Sequence, residues 1–178
     1  MEEVTHREII NEEIVALKDV SQEKKIVVSS KNLIPYPYKD SNDKGFRVRN
    51  GITFTDNGDG SITINGFAEG EADKPNASSW FRLFSYEEAQ SFKNVVLSGG
   101  LDKNIFIRYT YVDENGENKA VDNKNGDKLI IENAKIKFLT LHIAAGTVVD
   151  NVTVYPQLEK GTTATEYAPY VDLVMKQN

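Results

Sequence analysis

Apolar and polar residues alternate along most of this chain with a period of two, which is typical of half-buried β-strands. The clearest case is the stretch 51–66, where Ile52 and Phe54, and then Ile62 and Ile64, alternate with Thr and Ser. The sequence DNGDG lies between the two runs, and Asp, Asn and Gly are the residues that form tight turns. The stretch therefore predicts a β-hairpin with one apolar face.

Similar short runs recur to the end of the chain. They predict strands at 46–48, 52–55, 61–66, 80–84, 95–98, 105–112, 128–131, 136–144, 148–155 and 166–171, with a lead-in strand within 21–30, a loop over 31–44 and a helical turn or two at 86–92. Because no helices of crossover length separate the strands, a parallel α/β sheet is excluded. The predicted fold class is mainly β, an antiparallel two-sheet β-sandwich (jelly roll) preceded by an N-terminal α-helix.

That helix is predicted for residues 2–22, where the apolar period changes. Ile10, Ile14 and Leu17 fall at i, i+4 and i+7, and no Gly or Pro interrupts the stretch. Such a stripe can pack on the domain or join copies of the chain as a short coiled coil, and disorder is the third alternative. We expect residues 1–30 to serve attachment or oligomerisation through Ile10, Ile14 and Leu17, residues 31–171 to form the sandwich, and residues 172–178 to form a C-terminal tail.

Composition narrows the classes of function. The 178 residues carry a net charge of −6, with an isoelectric point near 5.0, so a nucleic-acid-binding surface is not expected. Cysteine is absent, which excludes disulfides, thiolate zinc sites and a cysteine nucleophile. The acidic N-terminus lacks the apolar region of a signal peptide, and no apolar run is long enough for membrane insertion.

Catalytic and metal-binding patterns are not evident. The two histidines, His6 and His142, lie in no catalytic signature, and no spacing identifies a pair of acids for glycoside hydrolysis, so no catalytic residue and no enzymatic activity are predicted. The turn DNGDGS resembles a calcium loop, but Gly58 and Gly60 occupy positions where an EF-hand needs oxygen ligands. No cofactor or metal is predicted, although a structural calcium held by scattered loop oxygens stays open.

The alternation also predicts a candidate binding face. If Leu139, Leu141 and Ile143 point into the core, then Phe138, Thr140 and His142 share the opposite side of their strand. The same reasoning turns Trp80, Arg82 and Phe84 outward on one strand, and Phe106, Arg108 and Thr110 outward on another. Aromatic rings beside hydrogen-bonding groups suit sugars. The candidate ligand-binding residues are therefore Trp80, Arg82, Phe106, Arg108 and His142, with packing beneath a loop or a partner as the alternative.

Three stretches together resemble a module of tail proteins from phages and prophages of Gram-positive bacteria. They are NLI at 32–34, GITFT with DGSITING within 51–66, and the closing run PQLEKGTTATEYAPY at 156–170. The resemblance implies a jelly-roll, carbohydrate-binding-module-like domain carried on tail-tip, baseplate or fibre proteins. In the closing run, Tyr167 and Tyr170 are expected to pin the exiting chain onto the sandwich.

The function expected from this resemblance is that of a non-enzymatic tail or baseplate structural protein that adheres to host-surface polysaccharide or acts as a spacer. Such a protein is made in the bacterial cytoplasm without a signal peptide, resides in the virion tail, and assembles with itself as a homotrimer or with other tail proteins. The alternative is a glycan-binding module of a secreted bacterial carbohydrate-active protein. The chain departs from the module at Phe67, Glu69 and 86–96, so no ligand or binding residue carries over.

Overall fold

The computed structural model describes the backbone of residues 12–14, 25–124, 128–170 and 172–176, and the side chains of residues 30–124 and 128–170. This part of the chain forms strands and loops, and it includes no helix long and apolar enough to cross a membrane. The strands are β1 (Glu12–Ile14), β2 (Lys25–Ser30), β3 (Phe46–Arg49), β4 (Ile52–Asp56), β5 (Ile62–Phe67), β6 (Ser79–Ser98), β7 (Ile105–Val112), β8 (Asn118–Asn123), β9 (Leu129–Ile143), β10 (Val148–Val154), β11 (Gln157–Lys160) and β12 (Asp172–Lys176).

Two antiparallel sheets form a β-sandwich, which confirms the predicted mainly β, antiparallel two-sheet architecture. One sheet has four strands in the order β10-β5-β4-β3, and the other has five in the order β11-β6-β9-β7-β8. A further three-stranded sheet, in the order β1-β2-β12, joins segments from the two ends of the chain.

The predicted hairpin is present as β4 and β5. The two strands pair antiparallel with Phe54 opposite Ile64, and Ile52, Phe54, Ile62 and Ile64 are all fully buried. The ring of Phe54 stacks on Phe81 of the five-stranded sheet, with centroids 5.5 Å apart. Alternation buries one face of each sheet, and contacts of this kind join the two buried faces into one core.

The closing run 156–170 is held by buried polar side chains whose hydrogen bonds are satisfied. Asn32 donates through Nδ2 to the carbonyl oxygen of Pro156 and accepts through Oδ1 from the amides of Ile34 and Leu158. Gln157 accepts from the amide of Ala168, and buried Glu159 accepts two hydrogen bonds from Thr165. Buried amides and carboxylates require such partners, so these polar residues fix the path of the chain.

Tyr167 pins this run to the hairpin turn, as the sequence predicted. Its hydroxyl donates to the carbonyl oxygen of Asp59 at 3.1 Å, and the Tyr38 hydroxyl donates to the neighbouring carbonyl of Gly60. Gly60 has a φ of +83°, and a Cβ there would collide with the Tyr167 hydroxyl. The turn glycine thus serves both the backbone conformation and the close approach of the tyrosine.

Three sequence predictions of local structure differ from what is observed. Within the predicted helix 2–22, the described residues Glu12–Ile14 form a strand paired with β2, while Ile10 and Leu17 lie outside the described residues. The predicted turn of helix at 86–92 belongs to β6, and the predicted strand 166–171 is irregular over its described residues 166–170. Strand β12 instead occupies Asp172–Lys176, within the predicted C-terminal tail.

Bulges explain why the sequence pattern in the middle of β6 predicts a helix. Between Ser85 and Gln90 the strand advances five residues while its partner β9 advances only from Phe138 to Ile136. The extra residues break the period of two, and the half-buried side chains of this segment then recur every third residue, at 86, 89 and 92. A helix-like spacing therefore comes from an irregular strand.

A second, smaller bulge in β6 reverses one predicted orientation. Register shifts by one residue between Arg82 and Phe84, so Leu83 and Phe84 are both buried. The prediction that Phe84 faces outward is therefore wrong, because strict alternation ends at Arg82.

Candidate functional site

All five predicted binding residues lie on one face of the five-stranded sheet, and their three strands are neighbours. Trp80 of β6 lies opposite His142 of β9, which lies opposite Phe106 of β7. In the next outward-facing row, Arg82 lies opposite Thr140, which lies opposite Arg108. We call this surface the outer face. It faces away from the core because Phe81, Leu83, Ile107, Leu139 and Leu141 point inward.

The five residues differ in how far a ligand could reach them. Trp80, Arg82 and Arg108 are half-buried, whereas Phe106 is 3% exposed and His142 is 5% exposed. The packing interpretation therefore applies to Phe106 and His142, and only Trp80, Arg82 and Arg108 offer surface for contact. Outward alternation identified the face correctly but could not show which of its members are covered.

His142 is a structural residue beneath this face. Its ring stacks on Phe106, with centroids 5.3 Å apart and planes 9° from parallel. The Ser78 hydroxyl lies 2.6 Å from its Nδ1 and the Thr140 hydroxyl 2.8 Å from its Nε2. Burial, reinforced by the charge of Arg108, lowers the pKa of His142 to about 3. The imidazole is therefore neutral near pH 7, when one nitrogen donates and the other accepts.

The contact between Ser78 and His142 has the form of a nucleophile and its base, but the environment does not suit that chemistry. A general base works best with a pKa near the operating pH, and the pKa of His142 is about 3. The second nitrogen faces the Thr140 hydroxyl and not a carboxylate that would stabilise an imidazolium. The described geometry thus favours packing over catalysis for this pair.

Arg108 is held by a carboxylate on the neighbouring strand. Its Nε and Nη2 atoms donate to the two oxygens of Asp122 at 2.6 and 2.9 Å, and Lys124 lies 3.2 Å from the same side chain. The hydrogen bond to Asp122 raises the pKa of Arg108. Burial acts to raise the pKa of Asp122, but Arg108 and Lys124 outweigh it and lower that pKa. A bidentate pair of this kind orients the guanidinium and neutralises its charge.

Trp80 lies at the centre of a run of cations and rings. The guanidinium carbon of Arg49, from β3, lies 3.4 Å from the centre of the Trp80 ring. That of Arg82 lies 5.3 Å from Trp80 and 4.5 Å from the ring of Phe138. Cation–π contacts orient these arginines by their flat faces.

Arg49 is a member of the site that sequence reasoning missed. In β3 the large apolar residues Phe46 and Val48 are 46% and 59% exposed, while Arg47 and Arg49 are half-buried. Arg49 lies opposite Ile52 in the β4 ladder, so it shares the inward side of its sheet with core residues. Charges that point inward on an edge strand discourage edge-to-edge association. Sequence reasoning missed Arg49 because hydropathy alone would assign the arginines of β3 to the solvent side.

The two arginines that contact the Trp80 ring have no carboxylate within ion-pair distance in the described part of the chain. Asp40 pairs with Arg47 at 2.5 Å, and Asp122 pairs with Arg108 and Lys124. Arg49 and Arg82 are in no such pair, and the buried Nε of Arg82 has no hydrogen-bond partner among the described residues. Burial and then the charge of Arg47 lower the pKa of Arg49, and Asp40 and Glu71 oppose that shift.

The aspartates of the hairpin turn accept hydrogen bonds from neighbouring residues of the protein. Asp56 accepts from the Tyr36 hydroxyl, the Ser41 hydroxyl and the amide of Gly58, and Asp59 accepts from the amide and hydroxyl of Ser61. The bonds from Ser61 lower the pKa of Asp59. Within the described residues, no group of three or more His, Asp or Glu side chains is arranged to hold a metal ion.

A groove of about 600 Å³ lies away from the outer face, where β7 and β9 diverge. The part of β9 that precedes Ile136 pairs with β6 but not with β7, and the groove follows this edge. Its walls combine Tyr109 and Tyr111 with apolar residues such as Leu129. The Tyr109 hydroxyl accepts a hydrogen bond from the amide of Lys135 and so satisfies one backbone donor on this edge of β9. None of the predicted binding residues lines this groove.

Comparison with protein-family models, with curated proteins and with solved structures finds no match to this chain. What the protein binds is therefore inferred from its own residues.

Proposed function

We propose that this protein is a non-enzymatic structural component of a phage tail or a phage-derived particle, and that its β-sandwich adheres to carbohydrate on the host surface. The outer face of the five-stranded sheet is the binding surface. The single observation in support is that Trp80 and Arg82 of β6 and Arg108 of β7, the two strands that flank β9, lie on one face and remain accessible. An aromatic ring flanked by fixed hydrogen-bond donors suits the apolar face and the hydroxyls of a sugar.

Each accessible residue has a distinct role in this proposal. Trp80 offers apolar area for stacking, and Arg82 lies close enough to contact the same sugar ring. Arg108, already oriented by Asp122, donates to hydroxyls from a rigid position. Phe106 and His142 support the face from beneath through their stacked rings. Pre-organisation of this kind reduces the entropy lost on binding.

The proposal that the protein belongs to a phage tail or a phage-derived particle rests on the three stretches that resemble tail modules. The structure accounts for the physical role of two of them: Asn32 anchors the opening stretch to the closing run, and Tyr167 anchors the closing run to the hairpin. Assembly as a homotrimer through Ile10, Ile14 and Leu17 also stays a prediction, but one that a helical stripe no longer supports, because Ile14 lies in strand β1.

A glycan array probed with the full chain tests the adhesion proposal. We expect binding to a restricted set of glycans, and we expect Trp80→Ala and Arg108→Ala each to weaken it at least tenfold. Phe67→Ala is the matched control, because Phe67 is an exposed aromatic residue, 49% accessible, on the other sheet. Circular dichroism would establish that each variant is folded.

Two results would contradict the proposal. Binding that persists unchanged in both Trp80→Ala and Arg108→Ala would exclude the outer face as the site. The absence of binding to every glycan on the array would favour the spacer role.

A further inference from the structure

The outer face and the neighbouring edge strand β3 together hold more positive charge than their ion-paired carboxylates neutralise. The cations are Arg47 and Arg49 of β3 with Arg82, Arg108 and Lys124, and the ion-paired carboxylates are Asp40 and Asp122. Those two aspartates engage Arg47, Arg108 and Lys124, which leaves Arg49 and Arg82 without a carboxylate within 4.0 Å among the described residues. This local excess occurs in a chain whose net charge is −6.

Arg82 carries a further sign of a missing partner. Its Nε atom is buried and has no hydrogen-bond acceptor in the described part of the protein. Buried N–H groups are nearly always bonded, because an unsatisfied donor loses its hydration without replacement. A shift of the Arg82 side chain that brings this N–H group to an acceptor on a ligand would remove the penalty.

The contact with Trp80 leaves the N–H donors of Arg49 and Arg82 available to a ligand. Stacking uses the flat face of a guanidinium, whereas its N–H donors lie in the plane and point away from the ring. Arg49 and Arg82 both approach the Trp80 ring, at 3.4 and 5.3 Å from its centre. The planar fork of a guanidinium matches the oxygens of a carboxylate or phosphate.

We propose that the carbohydrate bound by the outer face is anionic, and that Arg49 and Arg82 hold its carboxylate or phosphate group beside Trp80. This inference rests on the proposed function and specifies the chemical class of the ligand. A bound anion also offsets the repulsion among Arg47, Arg49 and Arg82. A nucleic acid shares the phosphate and is disfavoured, because the cations without a carboxylate are two arginines beside one tryptophan and do not form an extended basic stripe.

The experiment uses Trp80 as its own reporter, since it is the only tryptophan in the chain. The full chain is titrated with two matched pairs of oligosaccharides while Trp80 fluorescence is recorded. One pair is oligogalacturonate and its methyl ester, and the other is phosphorylated mannan and plain mannan. The first pair tests a carboxylate source and the second a phosphate source.

We expect the acidic member of at least one pair to bind at least tenfold more tightly than its neutral counterpart, and 0.5 M NaCl to reduce that preference. Arg82→Gln and Arg49→Gln should each remove most of the preference, while Arg82→Lys should retain part of it because the charge is kept. Lys93→Gln is the control, since this cation lies eleven residues beyond Arg82 on β6. Thermal melts by circular dichroism verify folding, and Arg49→Gln suffices if Arg82→Gln does not fold.

The outcomes separate this inference from the proposed function. Equal binding of acidic and neutral members, with loss of binding in Trp80→Ala measured by isothermal titration calorimetry, overturns the anionic ligand and leaves adhesion intact. A preference for acidic members that survives both Arg→Gln variants also overturns the inference. Binding to single-stranded DNA that exceeds binding to every oligosaccharide overturns it in favour of a nucleic acid. No binding to any of the four oligosaccharides overturns the inference, and absence of binding across the glycan array as well overturns the proposed adhesion.

Discussion

Removal of the Asn32 side chain tests whether buried polar contacts hold the closing run in place. Asn32 is 1% exposed and makes three hydrogen bonds, to Pro156 at 3.0 Å, from Ile34 at 3.1 Å and from Leu158 at 3.2 Å. Two of its partners belong to the closing run, more than 120 residues away in sequence. In Asn32→Ala, those backbone groups stay in the interior without their partner.

The expected loss of stability follows from these bonds. A buried hydrogen bond contributes about 1 kcal/mol net, so three bonds predict a fall of roughly 3 kcal/mol in the free energy of unfolding. For a chain of this size about 1 kcal/mol lowers Tm by roughly 2–4 °C, which corresponds to a fall of about 6–12 °C.

Urea denaturation followed by circular dichroism and Trp80 fluorescence measures this loss. The control is Asn42→Ala, because Asn42 is exposed yet makes two similar hydrogen bonds, to Phe46 and from Lys44. Water replaces the lost partners there, so we expect a change below about 1 kcal/mol. If Asn32→Ala shifted the urea midpoint no more than Asn42→Ala, the anchoring role of Asn32 would be refuted.

Two further predictions concern the hairpin turn and the buried imidazole. Gly60→Ala should lower the free energy of unfolding by about 1 kcal/mol more than Gly58→Ala, as measured by thermal melts. Both glycines have positive φ, but only a Cβ at Gly60 displaces the Tyr167 hydroxyl from Asp59. Equal melting temperatures of the two variants would contradict this collision. The pKa of His142 is lowered to about 3 in the folded protein, against about 6.5 when unfolded. The unfolded state therefore binds the proton first, and stability falls as pH drops from 6.5 towards 3, by up to about 1.4 kcal/mol per pH unit. His142→Gln should remove this component, so the stability difference between wild type and variant should shrink by about 2–3 kcal/mol between pH 7 and pH 4.5; a constant difference in urea melts would show that His142 is not buried as a neutral group.

The sheet class and the central hairpin could be predicted from sequence because both depend on local pattern. Alternation at Ile52, Phe54, Ile62 and Ile64 determines which side of each strand is apolar, and the DNGDG turn restricts how the strands connect. The same alternation identified the outer face, since Leu139 and Leu141 are apolar enough to define the inward side of β9. Neither conclusion requires knowledge of the neighbouring strand.

Edge strands and bulges could not be predicted in this way. Strand β8 (NKAVDN) has little apolar content because it lies at the edge of its sheet, and its pairing with β7 is what makes it a strand. The register shifts in β6 bury Phe84 and give 86–92 a helix-like spacing. Bulges depend on how two strands fit each other, and that fit is a property of the pair.

The sequence alone determined that this chain forms antiparallel sheets and that Trp80, Arg82, Phe106, Arg108 and His142 share one side of theirs. Only the tertiary structure decided that His142 and Phe106 are covered, that Asp122 neutralises Arg108, and that Arg49 reaches Trp80 from the other sheet. The physical reason is that the period of a strand is a local property. Burial and ion pairing depend on residues brought together by folding, so they follow from the packing of the two sheets.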